Sequence, residues 1–237
     1  MAARLRLADL LAGLSIASDL GFGLPPENAM RSCLVGTALA RRVGASEDEV
    51  RDTFYATLLL HVGCGSLSHE TAARYGDELK LMGAVARINV ADPAQVQSKL
   101  VPLVTEGMDD AARAEMTSKL VDSGVEFGRR YDTGSCEVAG ATARRLGLGE
   151  GTQRAVREMT EWWGGGWVPR GLQGEEIALS ARIARAAGDA TAVGRTGGAG
   201  DPGRERYLLT LKAARDPAAA PPLGPVSYTH LTLPTKA

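Results

Sequence analysis

Apolar positions recur along this chain at helical rather than strand spacing. Leu5, Leu7, Leu10, Leu11, Leu14 and Ile16 predict a first helix, stopped by Gly21 and Gly23. Pro25 and Pro26 open a second, in which Met30, Cys33, Leu34, Thr37, Ala38 and Arg41 share a face and which ends at Gly44. Ser46-Glu47-Asp48-Glu49 reads as a capping box, with the Ser hydroxyl and the Glu carboxylate satisfying free amides at a helix start. Val50, Phe54, Thr57, Leu58 and His61 then form one stripe on the helix that follows. Further helices are expected near 77–89, 93–105, 109–130, 134–146, 150–163 and 175–190, and no stretch alternates apolar and polar residues between hairpin turns.

The pattern fails after about residue 194. Gly194–Gly203 reads as a linker, Arg206–Arg215 as a short helix, and the Pro/Ala-rich stretch beyond as low-complexity chain. The expected organisation is a helical domain over 1–194, with a long spacer at about 85–130, and a Gly/Pro/Ala-rich disordered tail over 195–237. Val226–Thr235 resembles the translated read-through of a sequencing-library adapter, which would make 226–237 an artifact and the chain a truncated gene product. That segment, with His230, is set aside.

Hydrophobic residues at 44% and charged residues at 23% leave the chain among ordinary globular proteins. A net charge of -1 gives no nucleic-acid footprint. Three scattered cysteines, Cys33, Cys64 and Cys136, argue against a disulfide framework and for a reducing, cytoplasmic setting. No run approaches the roughly 18 apolar residues of a membrane span.

The most specific stretch runs Glu161-Trp162-Trp163-Gly164-Gly165-Gly166-Trp167-Val168-Pro169-Arg170-Gly171-Leu172-Gln173-Gly174-Glu175-Glu176-Ile177, followed by Ala181-Arg182-Ile183. It resembles the signature loop of the HD-GYP family of phosphohydrolases. Pro169, Gly171, Leu172, Gly174, Glu175, Glu176, Ile177, Ala181, Arg182 and Ile183 match in register. Ala56–Gly63 is similar to the family's helix end that carries a His-Asp pair. The resemblance spans about residues 5–190 and implies an all-α, HD-domain-like helical bundle. It also implies hydrolysis of cyclic di-GMP or related phosphodiesters at a centre of two or three metal ions bound by His and Asp.

Carried over position by position, most of those ligands are missing. The first falls at or beside Asn28, next to Glu27. His61 keeps the His of the pair, but its Asp is Val62. The paired His before the loop are Met159 and Thr160, leaving only Glu161 of that trio. The loop's Asp is Gly164 and its Gly-Tyr is Trp167-Val168. A late Asp aligns with Gly188, one residue from Asp189. With His61 and His69 the only histidines outside the tail, a His-rich multinuclear centre cannot be rebuilt.

What remains has two readings at each position. His61 is a core histidine bonded to a backbone carbonyl, or a surviving metal ligand. His61, Cys64, His69 and Asp77 mark a helix end and the next helix start, or hold one divalent ion (Zn, Fe, Mn or Mg). Trp162, Trp163 and Trp167 pack a core or interface, or stack on a nucleobase. Gly165 lies in a glycine run without the lysine of a P-loop. Glu175 and Glu176 are expected in the first turn of a helix, and Gly171 and Gly174 in turns. With Arg170, these loop residues are the candidate ligand-binding set.

The leading expectation is a degenerate HD-GYP-like domain with no catalytic residues and no cofactor. It would serve a regulatory, sensory or dimerising role in a longer signalling or transcription-regulating protein. The partners expected are a cyclic dinucleotide, a protein or a second copy, with DNA bound only through a downstream domain and no membrane contact. The alternatives are a metal-dependent phosphodiesterase with a reduced site and a cyclic-dinucleotide sensor that does not hydrolyse.

Overall fold

The computed structural model describes residues 6–86, 88, 90 and 93–194; the linker, the low-complexity tail and the adapter-like segment lie outside them. Among the described residues the fold is all-α with no strand. The elements are α1 (Leu7–Gly21), α2 (Asn28–Arg42), α3 (Glu47–Leu58), α4 (Ser68–Tyr75), α5 (Glu78–Val85), α6 (Pro93–Gln95), a π-helical turn (Val96–Leu100), α7 (Val101–Val104), α8 (Asp110–Arg145), α9 (Glu150–Glu158) and α10 (Leu179–Gly194). A 3₁₀ turn at Gly174–Glu176 precedes α10.

At the centre of the bundle α2, α3 and α10 pack on one another, α9 packs on α3 and α10, and α8 packs on α9. Their core is aliphatic: Leu58, Leu59, Ala139, Ala143, Val156, Met159, Ile177 and Ala181 form one buried cluster with Leu11 of α1 and Cys33 of α2. A second cluster, under the N-terminal half of α8, holds Tyr75, Leu81, Met82, Leu100, Phe127 and Tyr131. Helices α2, α3 and α10 share an aliphatic cluster of Leu39, Val50 and Ile183, and they approach closely at Gly36, against Ala187 and Thr53.

The capping box is present as read: Ser46 Oγ accepts from Glu49 N, and the Glu49 carboxylate accepts from Ser46 N at 2.8 Å. Several boundaries differ. Pro25 and Pro26 precede α2 rather than open it, because Glu27 takes a left-handed conformation (φ 68°) and the helix starts at Asn28. The first helix runs on to Gly21, and Gly23 makes the turn beyond it at φ 71°. A Cβ on Gly23 would sit 2.2 Å from the carbonyl oxygen of Leu79, so only glycine lets this turn meet α5.

The break expected between 130 and 134 does not exist: α8 is a single helix of 36 residues. Thr133-Gly134-Ser135 is poor helix-forming sequence, but Tyr131, Ser135, Cys136 and Ala139 are buried against the rest of the bundle, and packing overrides propensity. The helix expected over 150–163 stops at Glu158, where the side-chain hydrogen bonds turn to holding a loop. Glu175 and Glu176 lie in the 3₁₀ turn, one short element before the helix they were expected to begin.

Candidate functional site

Two buried acids organise the loop between α9 and α10. Glu158, at the end of α9, and Glu161, three residues on, are both fully buried. Glu161 Oε1 accepts the backbone N–H of Arg170 at 2.6 Å and Oε2 that of Leu172 at 3.1 Å. Glu158 accepts from Arg154 Nε at 2.9 Å, from Arg170 Nη1 at 3.1 Å and from the backbone N–H of Ala178 at 2.9 Å. Arg154 also donates to the carbonyl of Glu176 at 2.7 Å. The loop is therefore bent around two carboxylates, and its free amides end on them. Burial pushes the Glu161 carboxyl above its ordinary value, against the lowering pull of the amides of Arg170, Leu172 and Gly171. The Val168–Pro169 bond is cis, and Thr160 donates to the carbonyl of Val168 at 2.9 Å.

The tryptophans pack inward onto this frame. Trp162 and Trp167 stack with ring centres 4.4 Å apart and planes 4° from parallel. Trp167 is buried and donates from Nε1 to Asp132 of α8 at 2.6 Å. Arg129 lies over the Trp167 ring at 4.9 Å and donates to the carbonyl of Gly166, and Arg182 lies over Trp163 at 5.3 Å. Burial raises the Asp132 carboxyl above its ordinary range, while the Trp167 N–H and Arg185 pull it down. Arg185 is held by Asp189 at 2.8 Å, and that carboxylate, ahead of Asp132, raises its pKa. Gly165, Gly171 and Gly174 all have positive φ, as turn glycines do.

His61 lies just past the end of α3, and its partner is not a backbone carbonyl. Its Nδ1 meets the carboxylate of Asp19 at 2.9 Å, and its ring stacks on Phe22 at 4.9 Å. Asp19 is fully buried and also accepts the backbone N–H of Ala29, so one carboxylate ties α1 to the start of α2 and the end of α3. Beside it in sequence, the fully buried Asn28 has no hydrogen-bond partner on either side-chain amide atom.

The other candidate donors do not join His61. His69 is exposed on α4. Asp77 caps α5, accepting from Lys80 N at 2.9 Å. Cys64 lies toward Tyr131, whose hydroxyl donates to its carbonyl, and burial pushes its thiol up to about 12. Among the described residues no group of three or more His, Cys, Asp or Glu side chains is placed to hold a metal ion. Gly63 fixes the turn after His61 against α8: a Cβ there would lie 1.9 Å from the carbonyl oxygen of Ser135.

Sequence reasoning missed Asp19, Asp132, Glu158 and Arg185. The signal for Asp19 was present, as a lone acid inside an apolar run. Asp132 takes its partner from Trp167, 35 residues on, and Glu158 takes two of its three from Arg170 and Ala178, 12 and 20 residues on, whereas Arg185 pairs with Asp189 one helical turn away.

The scaffold is a helical bundle carrying an HD-GYP-type signature loop closed on its own buried acids. No family model matches the chain. It is 26% identical over 179 residues, 75% of its own length, to 3'3'-cGAMP-specific phosphodiesterase 3 of Vibrio cholerae serotype O1. The chain spans 39% of that curated relative's length. The crystal structure of a cyclic GMP-AMP-specific phosphodiesterase of V. cholerae matches in fold with a TM-score of 0.54 and 21% identity, over 90% of this chain and 47% of that one. Together with the signature loop, the V. cholerae relative supports assigning the chain to the HD-GYP family.

An HD-GYP metal centre can then be tested against the residues present. Of the positions that would ligate, Met159 is buried in the main apolar cluster and Val62 packs against it. Thr160 faces the thiol of Cys136 at 3.2 Å. At Gly188, an added Cβ would already lie 2.4 Å from Leu60 Cδ2. The orphaned amide of Asn28 is a polar remnant, but with His61 and Asp19 it offers too few donors for two or three ions. The residues present do not fit a multinuclear centre.

Proposed function

We propose that this domain is a regulatory HD-GYP-type module that does not hydrolyse its ligand. One observation carries the reading: hydrophobic packing has taken over ligand positions, with Met159 in the aliphatic cluster and Val62 against it, while the retained part of the signature loop is held by Glu158 and Glu161. A core of this kind cannot admit a hydrated divalent ion, because the charge would meet aliphatic side chains with nothing to coordinate it.

The ligand class that the V. cholerae relative suggests is a cyclic dinucleotide. The loop offers the partly exposed Trp162 and Trp163 and the exposed guanidinium of Arg170 to such a molecule. The test is titration calorimetry with 3'3'-cGAMP and cyclic di-GMP, alongside turnover assays with Mn²⁺ or Fe²⁺ added. Saturable binding without product, weakened in Trp162→Ala, is the expected outcome. Absence of binding to either nucleotide would leave a purely scaffolding role.

A second reading, a phosphodiesterase with a reduced site, is favoured by the relative's own name. Metal-dependent turnover that disappears in His61→Ala would establish it and overturn the first.

A further inference from the structure

Glu158 has more positive charge around it than its burial requires. Its Oε1 accepts from Arg154 Nε at 2.9 Å and from Arg170 Nη1 at 3.1 Å, while Oε2 accepts the backbone N–H of Ala178. One cation and the amide would compensate a buried carboxylate; the second guanidinium leaves the group with a net charge of +1. Sharing one oxygen at those distances, the two arginine nitrogens stand at most about 6 Å apart. Two cations held so close repel each other, and an anion between them relieves that repulsion.

The pair is also fixed in place. Arg154 makes a second bond, from Nη2 to the carbonyl of Glu176 at 2.7 Å. Arg170 is held at its backbone, where its N–H ends on Glu161. These bonds leave Nη1 of Arg154, and Nε and Nη2 of Arg170, without a partner in the chain. The two side chains are 54% and 61% exposed, so their remaining donors face solvent. The acids of the adjoining 3₁₀ turn do not close on them: Glu176 accepts from Gln173 N at 3.0 Å, and the charge of Glu175 acts on Arg182. Arg157, three residues further along α9, takes no part, since its stem packs over Gly140 and its Nη2 meets Gln153.

We propose that Arg154 and Arg170 form a phosphate-binding site, the seat for a phosphodiester group of the ligand. Their forks come from α9 and from the signature loop. A tetrahedral phosphate presents oxygens to both, whereas a planar carboxylate is filled by one. The chain's own arginines supply the positive charge, so the site needs no cation. The place of the phosphate follows from the arginine pair; only its source, a cyclic dinucleotide, rests on the regulatory reading above.

The experiment is titration calorimetry of the full chain with inorganic phosphate at constant ionic strength, and separately with 3'3'-cGAMP. Two charge-assisted contacts predict a dissociation constant for phosphate on the order of 1 mM. Arg154→Gln and Arg170→Gln should each weaken it about tenfold, and Arg170→Lys, which keeps the charge but loses the fork, about threefold. Arg157→Gln removes the same charge from the same helix and should change it less than about twofold. Circular dichroism should show unaltered helix content in all four. The inference is overturned if phosphate does not bind by about 20 mM, if it binds equally well without either arginine, or if Arg157→Gln weakens it as much as the others. Phosphate that competes with 3'3'-cGAMP identifies the nucleotide as the source. Phosphate bound through the pair with no nucleotide bound leaves the site standing and removes the cyclic-dinucleotide reading. Nucleotide bound without regard to either arginine, with no phosphate bound, does the reverse.

Discussion

Replacing Glu158 by alanine tests whether the signature loop is held by its acids. The carboxylate is fully buried and accepts three hydrogen bonds, from Arg154, Arg170 and the backbone of Ala178. The two arginine heads are more than half exposed, so their ion pairs count for little, about 0–1 kcal/mol each. The part-buried amide of Ala178 counts for more: losing its charged acceptor costs about 1.5–3 kcal/mol. The expected loss is about 1.5–5 kcal/mol, or roughly a 3–20 °C fall in melting temperature for a domain of this size. Glu158→Gln keeps an acceptor for Ala178 and should lose about half as much. Urea and thermal unfolding, followed by circular dichroism and by tryptophan fluorescence of the loop, measure both. An alanine variant within about 0.5 kcal/mol of wild type, the range of an ordinary surface change, would refute the reasoning. So would a glutamine variant as unstable as the alanine.

Two further tests probe other parts of the frame. Burial raises the Asp132 carboxyl in the folded state, so folding binds its proton more tightly than the unfolded chain does; this contribution is neutral below the ordinary value of 3.8 and becomes a penalty as pH rises through the raised one. Asp132→Asn, which keeps an acceptor for Trp167, should therefore gain on the wild type as pH climbs from about 3.8 toward neutrality, and urea midpoints that stay parallel across that range would count against it. Gly63→Ala places a Cβ on the backbone of α8 and should cost more than about 4 kcal/mol or abolish folding, whereas the same change at Gly107, on open surface, should lose far less; comparable soluble yields and melting curves for the two would contradict the packing described.

Most of the helical order was legible because it rests on local rules. The capping box at Ser46 and the stop at Gly44 involve residues within a turn or two of one another, so the sequence displays them directly. The 36-residue α8 was not legible, since Gly134 and Ser135 argue locally for a break that only distant packing prevents. The residue types at the family's ligand positions could be read one by one, and the structure puts Met159 in the main apolar cluster and Val62 against it. The partner of His61 could not be read: Asp19 is 42 residues away, and nothing local distinguishes a histidine facing a carboxylate from one facing a carbonyl. Glu158 was invisible for a similar reason, because Arg154, one of its partners, looks like an ordinary pair one helical turn back, while Arg170 and Ala178 stand 12 and 20 residues on in the loop and meet it only when the loop folds back.

The closure of the loop on Glu158 and Glu161 separates two properties that a motif search treats as one. A segment whose conformation is secured by its own carboxylates needs no cation to keep its shape, so selection on the ion can lapse while the recognisable string of glycines, proline and paired glutamates persists. On the non-hydrolysing reading proposed above, a census of hydrolases that counts this string alone also takes in domains that bind without cleaving. The residue types at the positions equivalent to Val62, Met159 and Thr160 are the better criterion.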